Sequence, residues 1–195
     1  KWFDTLETYY TPTATRCYHN FNHIDELLSL FDTYRHRLTQ PAVCQLAIWF
    51  HDVVYDPTKH DNEDLSAQLF KQFTKDSLVV APDVQDQVID YIDCTKNHTK
   101  HPAQGNDRDY FLDMDLSILG RPTEEYLIYS HNIRREYIHV PEDQYRTGRS
   151  TILKRFIDMG ESIYKTPEFR AAYARQALTN LQNEVDRLAD LAIPL

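Results

Sequence analysis

Apolar residues in this chain recur three and four positions apart along most of its length, and they rarely alternate with polar ones. This spacing is typical of amphipathic helices that pack one face against a shared core. Only four glycines occur among the 195 residues, which agrees with a chain made mainly of helices. We therefore predict an all-α fold.

The pattern predicts four helices in the N-terminal half, beginning near positions 18, 41, 62 and 83. The first extends to about residue 37 and carries His19 and His23 one turn apart near its start. Pro41 is a favourable first residue for the second helix, which runs as far as the pair at positions 51 and 52. Asp61 or Asn62 is expected to cap the third.

The C-terminal half begins with a predicted loop over 95–109, where the residues are mostly polar. Helical spacing resumes through 111–119 and stops at Gly120. Further helices are predicted over roughly 123–137, 142–159 and 167–191. Thr166 is expected to cap the last of these, with Pro167 in its first turn.

Composition limits both the architecture and the classes of partner. A chain of 195 residues that is 42% hydrophobic can bury a complete core, and no long polar or proline- and glycine-rich stretch divides it. We predict one helical domain over residues 1–195. The formal net charge of -9 argues against binding to nucleic acid or to an anionic membrane, since both attract a basic surface.

The cysteines and the apolar segments indicate the compartment. Cys17, Cys44 and Cys94 make an odd number with no CxxC spacing, which favours reduced thiols over disulfides or a thiolate zinc site. No apolar run approaches the length of a membrane span, and no segment resembles a secretion leader. We expect a cytoplasmic protein.

Residue types that bind metals recur at separate points of the chain. They are His19 and His23 in the run YHNFNH, the adjacent pair His51–Asp52, and Asp115 in the run DMDLS. Imidazole nitrogens together with carboxylate oxygens suit a divalent first-row ion that keeps positions open for water. A site of this kind is typical of a hydrolase.

The surroundings of His51–Asp52 strengthen this interpretation. The pair follows the apolar run AIWF at positions 47–50, and an uncompensated carboxylate would be costly if it were buried there. A bound cation is the simplest compensation. The sequence alone leaves the metal open among Mn, Mg, Zn, Fe, Co and Ni.

The order of a His, a His-Asp pair and a later Asp on successive helices resembles the HD-domain superfamily of metal-dependent phosphohydrolases. The runs AIWFHDVVY, NE with SA, DLSILG and IRREY are similar to one compact branch of predicted phosphohydrolases, over nearly the whole chain. The resemblance implies a helical bundle in which His23, His51, Asp52 and Asp115 bind a divalent metal ion.

The resemblance also implies roles for residues beside the metal. The run Tyr18–His19–Asn20 with His23 is similar to the opening motif of cyclic nucleotide phosphodiesterases, in which the first His donates a proton and the second binds metal. His19 would then be the proton donor, or else a capping or surface residue. Glu63 is similar to acidic residues that follow the metal pair in other HD enzymes, although the helix dipole alone favours a Glu in a first turn.

Asp113 competes with Asp115 for the place of the last ligand. On one helix the two side chains point about 200° apart, so we do not expect them to bind the same ion. The resemblance to an Asp-Leu-Ser ending favours Asp115. Asp113 would then be a solvated carboxylate or would orient a ligand imidazole.

A phosphorylated substrate needs cations that this acidic chain has to concentrate locally. Arginine forms bidentate phosphate contacts, and lysine supplies a point charge. Candidates are Arg16, which lies near His19 in the sequence, and also Lys96, His98, Arg134, Arg135 and Arg149.

The function that these expectations favour is hydrolysis of a phosphate ester or anhydride in a small nucleotide-like substrate by a metal-bound hydroxide. Asp52 would hold or deprotonate the water. One alternative is a two-iron oxygenase of the same fold, for which His60, His98 and His101 offer further imidazoles. Another is a module without catalytic activity that binds a nucleotide or a protein partner. The oligomeric state stays open.

Overall fold

The computed structural model describes residues 1–77 and 80–192. This part of the chain is helical with no strand, and its only β-type pairing is an isolated bridge between Thr13 and Arg16. The predicted all-α fold is confirmed. The predicted domain boundaries of 1–195 include residues 78, 79 and 193–195, which lie outside the described residues.

Nine α-helices occur within the described ranges. They are α1 Trp2–Tyr10, α2 Phe21–Tyr34, α3 Pro41–Phe50, α4 Asn62–Ser77, α5 Pro82–Thr95, α6 Asp107–Asp115, α7 Thr123–Glu136, α8 Glu142–Met159 and α9 Pro167–Ala189. Short 3-10 helices follow some of them, at Arg35–Arg37, His98–Lys100, Leu116–Gly120 and Gly160–Ile163.

Helix starts agree with the capping residues in the sequence. Proline occupies the first turn of α3, α5 and α9, where its missing N–H costs no helical hydrogen bond. The Thr166 hydroxyl accepts a hydrogen bond from the backbone N–H of Phe169, so the predicted cap of α9 is confirmed. The α2 helix begins later than predicted, because Asn20 caps it by accepting from the N–H of Asn22.

All nine helices contribute buried residues to one hydrophobic cluster. Within it, α3 packs against α2, α4, α5 and α6, while α9 packs against α7, α8 and the 3-10 helix Leu116–Gly120. Gly120 allows the last of these contacts, since a Cβ at that position would lie 2.5 Å from the Cβ of Tyr173. None of the helices in the described ranges combines the length and hydrophobicity needed to cross a membrane.

Two segments differ from the sequence prediction. The α1 helix was not predicted, because only Tyr10 among its residues is buried and its apolar face is correspondingly weak. The predicted loop over 95–109 contains a 3-10 turn and the start of α6 at Asp107. The first turn of α6 is polar but buried, and it consists of Asp107, Arg108 and Asp109. Polar residues are typical of loops, so the sequence predicted a loop where a packed helical turn lies.

Candidate metal centre

Two segments bring His23, His51 and Asp52 together, the start of α2 and the end of α3. His23 lies in the first turn of α2, His51 directly follows the last residue of α3, and Asp52 is the next residue. Each of the three offers one ligand atom, and these atoms all lie within 4.8 Å of one another. His23 and His51 are buried, at 2% and 1% exposure, whereas the Asp52 side chain is 18% exposed. The group can hold a metal ion with one side open to solvent.

The distances between the candidate ligand atoms fit a common ion. The two Nε2 atoms of His23 and His51 are 3.3 Å apart, and Asp52 Oδ2 lies 3.1 Å from His51 Nε2 and 3.7 Å from His23 Nε2. Atoms bound at about 2.1 Å from one ion are separated by about 3.0 Å at a right angle and about 3.4 Å at the tetrahedral angle. The observed separations therefore suit two imidazoles and a carboxylate around a divalent cation.

Asp115, the last residue of α6, lies beside the same two imidazoles. Its Oδ1 is 3.2 Å from His23 Nε2 and 3.5 Å from His51 Nε2. Its Oδ2 is 3.0 Å from Nε2 of His98, which belongs to the 3-10 turn after α5. The structure thus brings together the four residues that the sequence suggested as ligands, with a third imidazole next to Asp115.

The donor set is prepared for a cation in two respects. The Nδ1 of His51 lies 3.0 Å from the Ile48 carbonyl oxygen, and assigning the proton to Nδ1 leaves the Nε2 lone pair facing the cluster. Burial alone would lower the pKa of His51, but the carboxylates of Asp52 and Asp115 outweigh it and hold that pKa well above its ordinary value. The two carboxylates thus favour an added positive charge, which a metal ion supplies without protonating the ligands.

Asp113 takes no part in this cluster, and it is neither solvated nor an orienting group for an imidazole. It is fully buried, and its carboxylate caps the start of α9. One oxygen accepts from the N–H of Lys165, and the other accepts from the N–H and the hydroxyl of Thr166, each at 2.7 Å. The expected role of Asp113 was wrong, whereas the inference that Asp113 and Asp115 point apart agrees with their separate contacts.

His19 is held beside the cluster by a buried carboxylate. Its Nδ1 is 2.7 Å from Oε2 of Glu136, and Oε1 of Glu136 accepts from the backbone N–H groups of Tyr18 and His19 at 2.7 and 3.1 Å. His19 precedes the Asn20 cap, so it is not in the same helix as His23, contrary to the sequence prediction. Burial lowers the pKa of His19, but Glu136 raises it together with the more distant charges of Asp52 and Asp115, and the net shift is upward.

Aromatic rings fix the plane of His19. Tyr55 stacks on it with ring centroids 4.2 Å apart, and the Tyr55 hydroxyl donates to Glu136 Oε2 at 2.8 Å. Tyr18 contacts both His19 and His23, with ring centroids 5.0 and 4.9 Å away. The contact between Nδ1 and the Glu136 carboxylate assigns a proton to Nδ1, and the tyrosine rings hold the imidazole in this orientation. Nε2 is left for other partners.

A cavity of about 770 Å³ opens over these groups. Its lining includes His19, Asp52, Glu63 and Asp115. Glu63 lies in the first turn of α4, where burial raises its pKa and the charge of Asp52 adds to that effect. Glu63 is therefore positioned at the cavity with an increased proton affinity.

Three of the six arginine, lysine and histidine residues suggested for substrate binding line this cavity, namely Lys96, His98 and Arg149. The Lys96 ammonium contacts Asp64 at 2.6 Å and Asp93 at 3.0 Å. Arg149 donates from Nε to Glu184 at 3.0 Å. Both cations thus reach the cavity already paired with carboxylates.

The structure does not bring Arg16 or Arg134 to the cavity wall. The guanidinium of Arg16 donates to the backbone carbonyls of His19, Asp52 and Val53, which ties together the two segments that carry the site. Arg134 donates to the carbonyls of Tyr137 and Val140 and lies over the ring of Tyr145. The guanidinium groups of Arg16 and Arg134, which were predicted to bind phosphate, thus donate to backbone carbonyls instead.

The remaining candidates have other surroundings. Arg135 is exposed and contacts Asn132 at 3.5 Å. His60 lines the cavity, but His101 turns toward the thiol of Cys94, 3.7 Å from its Nδ1. The two histidines of the 98–101 segment therefore point to different places, and only His98 joins the candidate metal centre.

Sequence reasoning missed Glu136 as a functional residue. The signal was the periodicity of α7, where Tyr126, Ile133 and Glu136 share the buried face. An acidic residue on a buried helix face needs a partner, and its partner here is His19, 117 positions away in the chain.

Comparison of the chain with protein-family models, with curated proteins and with solved structures finds no match. Inferences about its function therefore depend on the geometry of the candidate metal centre.

Proposed function

We propose that this chain is a metal-dependent phosphohydrolase of the HD type that cleaves a phosphate ester or anhydride in a small nucleotide-like molecule. The main support is the common cavity of two groups, the His23–His51–Asp52 cluster with Asp115, and the hydrogen-bonded pair of His19 and Glu136. The first group suits a divalent cation, and the second suits a proton donor.

His23, His51, Asp52 and Asp115 would hold a divalent cation, which would supply a lower pKa for a bound water and polarisation of a phosphoryl oxygen. Asp52 faces the solvent side of the cluster, where its carboxylate can accept a proton from the attacking water. Glu63, with its raised pKa, is a further proton acceptor or donor at the same cavity.

His19 is suited to protonate the leaving oxygen. Glu136 accepts from Nδ1 and stabilises the charged imidazolium, so that Nε2 carries the proton to be transferred. As the phosphorus–oxygen bond breaks, this proton passes to the departing oxygen and His19 becomes neutral. Water from the solvent then restores its proton.

The cytoplasmic location also belongs to this proposal. Cys17, Cys44 and Cys94 are all free thiols, as expected in a reducing compartment.

Metal analysis followed by an activity screen tests the proposal. The purified protein is analysed for bound first-row metals, and phosphate release is then measured across a panel of nucleotides with and without a chelator. We expect one or more divalent metals and phosphate release that the chelator abolishes. A fully metal-loaded protein that releases no phosphate from any nucleotide would contradict the proposal.

One observation favours a second candidate, oxygenation at a two-iron centre. Nε2 of His98 lies 3.0 Å from Asp115 Oδ2, so the centre has an imidazole beyond His23 and His51. Two irons per chain and oxygen consumption with an organic substrate would support this candidate over hydrolysis. Nucleotide binding with neither reaction would instead indicate a binding module.

A further inference from the structure

One face of α8 forms part of the wall of the cavity that contains the candidate metal centre. Gln144, Gly148, Ile152 and Phe156 line the cavity and follow one another at intervals of four, so they form a single ridge along the helix. Gly148 interrupts this ridge between two larger side chains. The wall therefore has a notch at Gly148.

No contact or backbone angle in the described part of the chain requires a glycine at this position. Gly105 and Gly160 have φ values of 72° and 56°, which glycine adopts readily, and Gly120 closely contacts Tyr173. Gly148 instead lies inside α8, and a Cβ built on it meets no atom within 4 Å. Because glycine weakens a helix interior relative to alanine, the fold gains nothing from Gly148.

The side chains around the notch offer three kinds of contact. Ile152 is 48% exposed and presents an apolar surface. Gln144 and Arg155 line the cavity, and their side chains make no hydrogen bond or ion pair with another residue of the described ranges. An amide that both donates and accepts, an aliphatic surface and an unpaired guanidinium suit a planar heteroaromatic ring that carries polar edges.

A continuous series of contacts links this wall to the candidate metal centre. The ring of Tyr18 lies 4.9 Å from that of His23 and 4.7 Å from that of Tyr129. Arg149, the neighbour of Gly148, lies over Tyr129 at 5.4 Å from its ring centre. Two aromatic rings, those of Tyr18 and Tyr129, therefore connect His23 to Arg149 beside the notch. The notch and the candidate metal centre border the same cavity.

We propose that Gly148 is a specificity-determining residue, which keeps the notch open for the nucleobase of a nucleotide whose phosphate lies at the His23–His51–Asp52 cluster. This inference rests on the proposed function and narrows its substrate class to nucleotides. The base packs on Ile152 directly over the α8 backbone, a place that any side chain at position 148 would occupy.

Two substitutions and a matched control test this inference. Gly148→Ala adds one methyl group to the notch, and Gly148→Leu fills it. Thr151→Ala makes a comparable improvement in helix propensity at an exposed position of α8 that does not line the cavity. The probes are the 5′-monophosphates of adenosine, guanosine, cytidine and uridine, with glycerol phosphate as a substrate that lacks a base.

We expect all three variants to keep their metal content and to melt at the wild-type temperature or about 2–4 °C above it, because helix propensity improves. For the best nucleotide, the ratio of kcat/KM to that for glycerol phosphate falls about tenfold in Gly148→Ala and further in Gly148→Leu, while Thr151→Ala keeps the wild-type ratio. An unchanged ratio in Gly148→Leu would overturn the inference.

Equilibrium binding separates this inference from the proposed function. If the wild-type protein binds a nucleotide but hydrolyses none, the proposed function fails, and the Kd values of the Gly148 variants decide the inference. We then expect Kd to rise about tenfold in Gly148→Ala. A wild-type protein that binds none of the four nucleotides would overturn the inference itself.

Discussion

At the scale of single residues, Asp52 is one of the two carboxylates of the candidate metal centre. It adds a negative charge 3.1 Å from His51 Nε2 at the side of the cluster that faces solvent. Without it, the centre keeps two imidazoles and the single carboxylate of Asp115. The affinity for a divalent cation depends strongly on such a charge.

The first prediction concerns this carboxylate. We expect Asp52→Ala to lose metal and phosphohydrolase activity together, with a decrease of at least about 100-fold in metal affinity. Inductively coupled plasma mass spectrometry and phosphate release measure the two effects. Asp56→Ala, in the turn after the site, removes a carboxylate whose side-chain contacts are with Thr58, and it is a control that we expect to retain both. Full turnover with metal retained in Asp52→Ala would contradict the assigned role.

The second prediction concerns His19. We expect His19→Ala to keep its metal and to lower turnover by about 10²- to 10⁴-fold, the usual range for a positioned proton donor. The loss is expected to shrink for an aryl phosphate, because a good leaving group departs without a proton. Equal losses on poor and good leaving groups would assign His19 to substrate binding or packing instead.

Glu136 gives a companion prediction, since it acts through His19. Glu136→Gln removes the charge that raises the pKa of His19, so we expect the alkaline limb of the pH–rate profile to move to lower pH. Turnover near neutral pH is expected to fall about 10- to 100-fold. Tyr55→Phe removes a hydrogen bond to the same carboxylate but keeps its charge, and it is expected to shift the profile much less. An alkaline limb at the same pH in Glu136→Gln and the wild type would contradict this positioning role.

The difference between His23 and Glu136 shows how far single residues can be predicted from sequence. The clustering of His23, His51, Asp52 and Asp115 was predictable because their order along the chain resembles that of the HD superfamily. Glu136 was not, because a glutamate on a helix resembles any solvated charge until its distant partner is known. The same limit applied to Arg16, which donates to backbone carbonyls. Every residue has a backbone carbonyl, so residue types do not identify such a partner.

At the scale of helices, periodicity and caps predicted most starts and ends. Proline and Thr166 fix helix starts through local hydrogen bonding, so these boundaries are encoded within a few residues. The start of α6 was not predictable in this way, because its polar first turn is buried by distant contacts. Asp107, for example, accepts from the backbone N–H groups of Thr39 and Gln40 before α3.

Asp113 provides the third prediction, at the N-terminus of α9. Asp113→Ala leaves the N–H groups of Lys165 and Thr166 buried without their acceptor, so we expect the free energy of unfolding to fall by about 3 kcal/mol. Urea denaturation measures the change. Asp143→Ala, an exposed first-turn residue of α8, is a control expected to change stability by less than about 0.5 kcal/mol.

The same variant distinguishes the two aspartates of the DMDLS run. Asp113→Ala is expected to keep its metal despite its lower stability, whereas Asp115→Ala is expected to lose it. Metal loss in folded Asp113→Ala would show that the carboxylate at the start of α9 also supports the candidate centre. Unchanged stability would show that it does not hold α9.

At the scale of the whole molecule, a buried ionic network joins the three C-terminal helices. Glu184 of α9 accepts from Arg149 of α8 at 3.0 Å and from the hydroxyl of Tyr126 in α7. Its side chain is 1% exposed, and that of Arg149 is 10% exposed. Burial alone would raise the pKa of Glu184, but Arg149 and the hydrogen bonds to the carboxylate outweigh it and lower that pKa.

This network makes the stability of the fold depend on pH. The unfolded chain binds a proton at Glu184 near pH 4.3, whereas the folded chain does so only at a lower pH. The stabilisation by Glu184 is therefore fully present above the unfolded pKa and is lost as the pH falls through the folded pKa. Acid weakens the packing of α7, α8 and α9 by this route.

The last prediction uses Glu184→Gln, which resembles the protonated glutamic acid in shape but carries no charge. At neutral pH it leaves the buried Arg149 without its counter-ion, so we expect the free energy of unfolding to fall by about 3 kcal/mol. The difference from the wild type is expected to shrink as the pH falls below about 4, because the unfolded wild-type chain then binds a proton at Glu184 that the folded chain binds only at lower pH. Urea denaturation between pH 3 and pH 7, with chelator present, isolates the effect from the metal centre.

Glu124→Gln, on the exposed side of α7, is the control and is expected to follow the wild-type curve within about 0.5 kcal/mol at each pH. A Glu184→Gln curve that stays parallel to the wild type down to pH 3 would show that this carboxylate does not couple folding to pH.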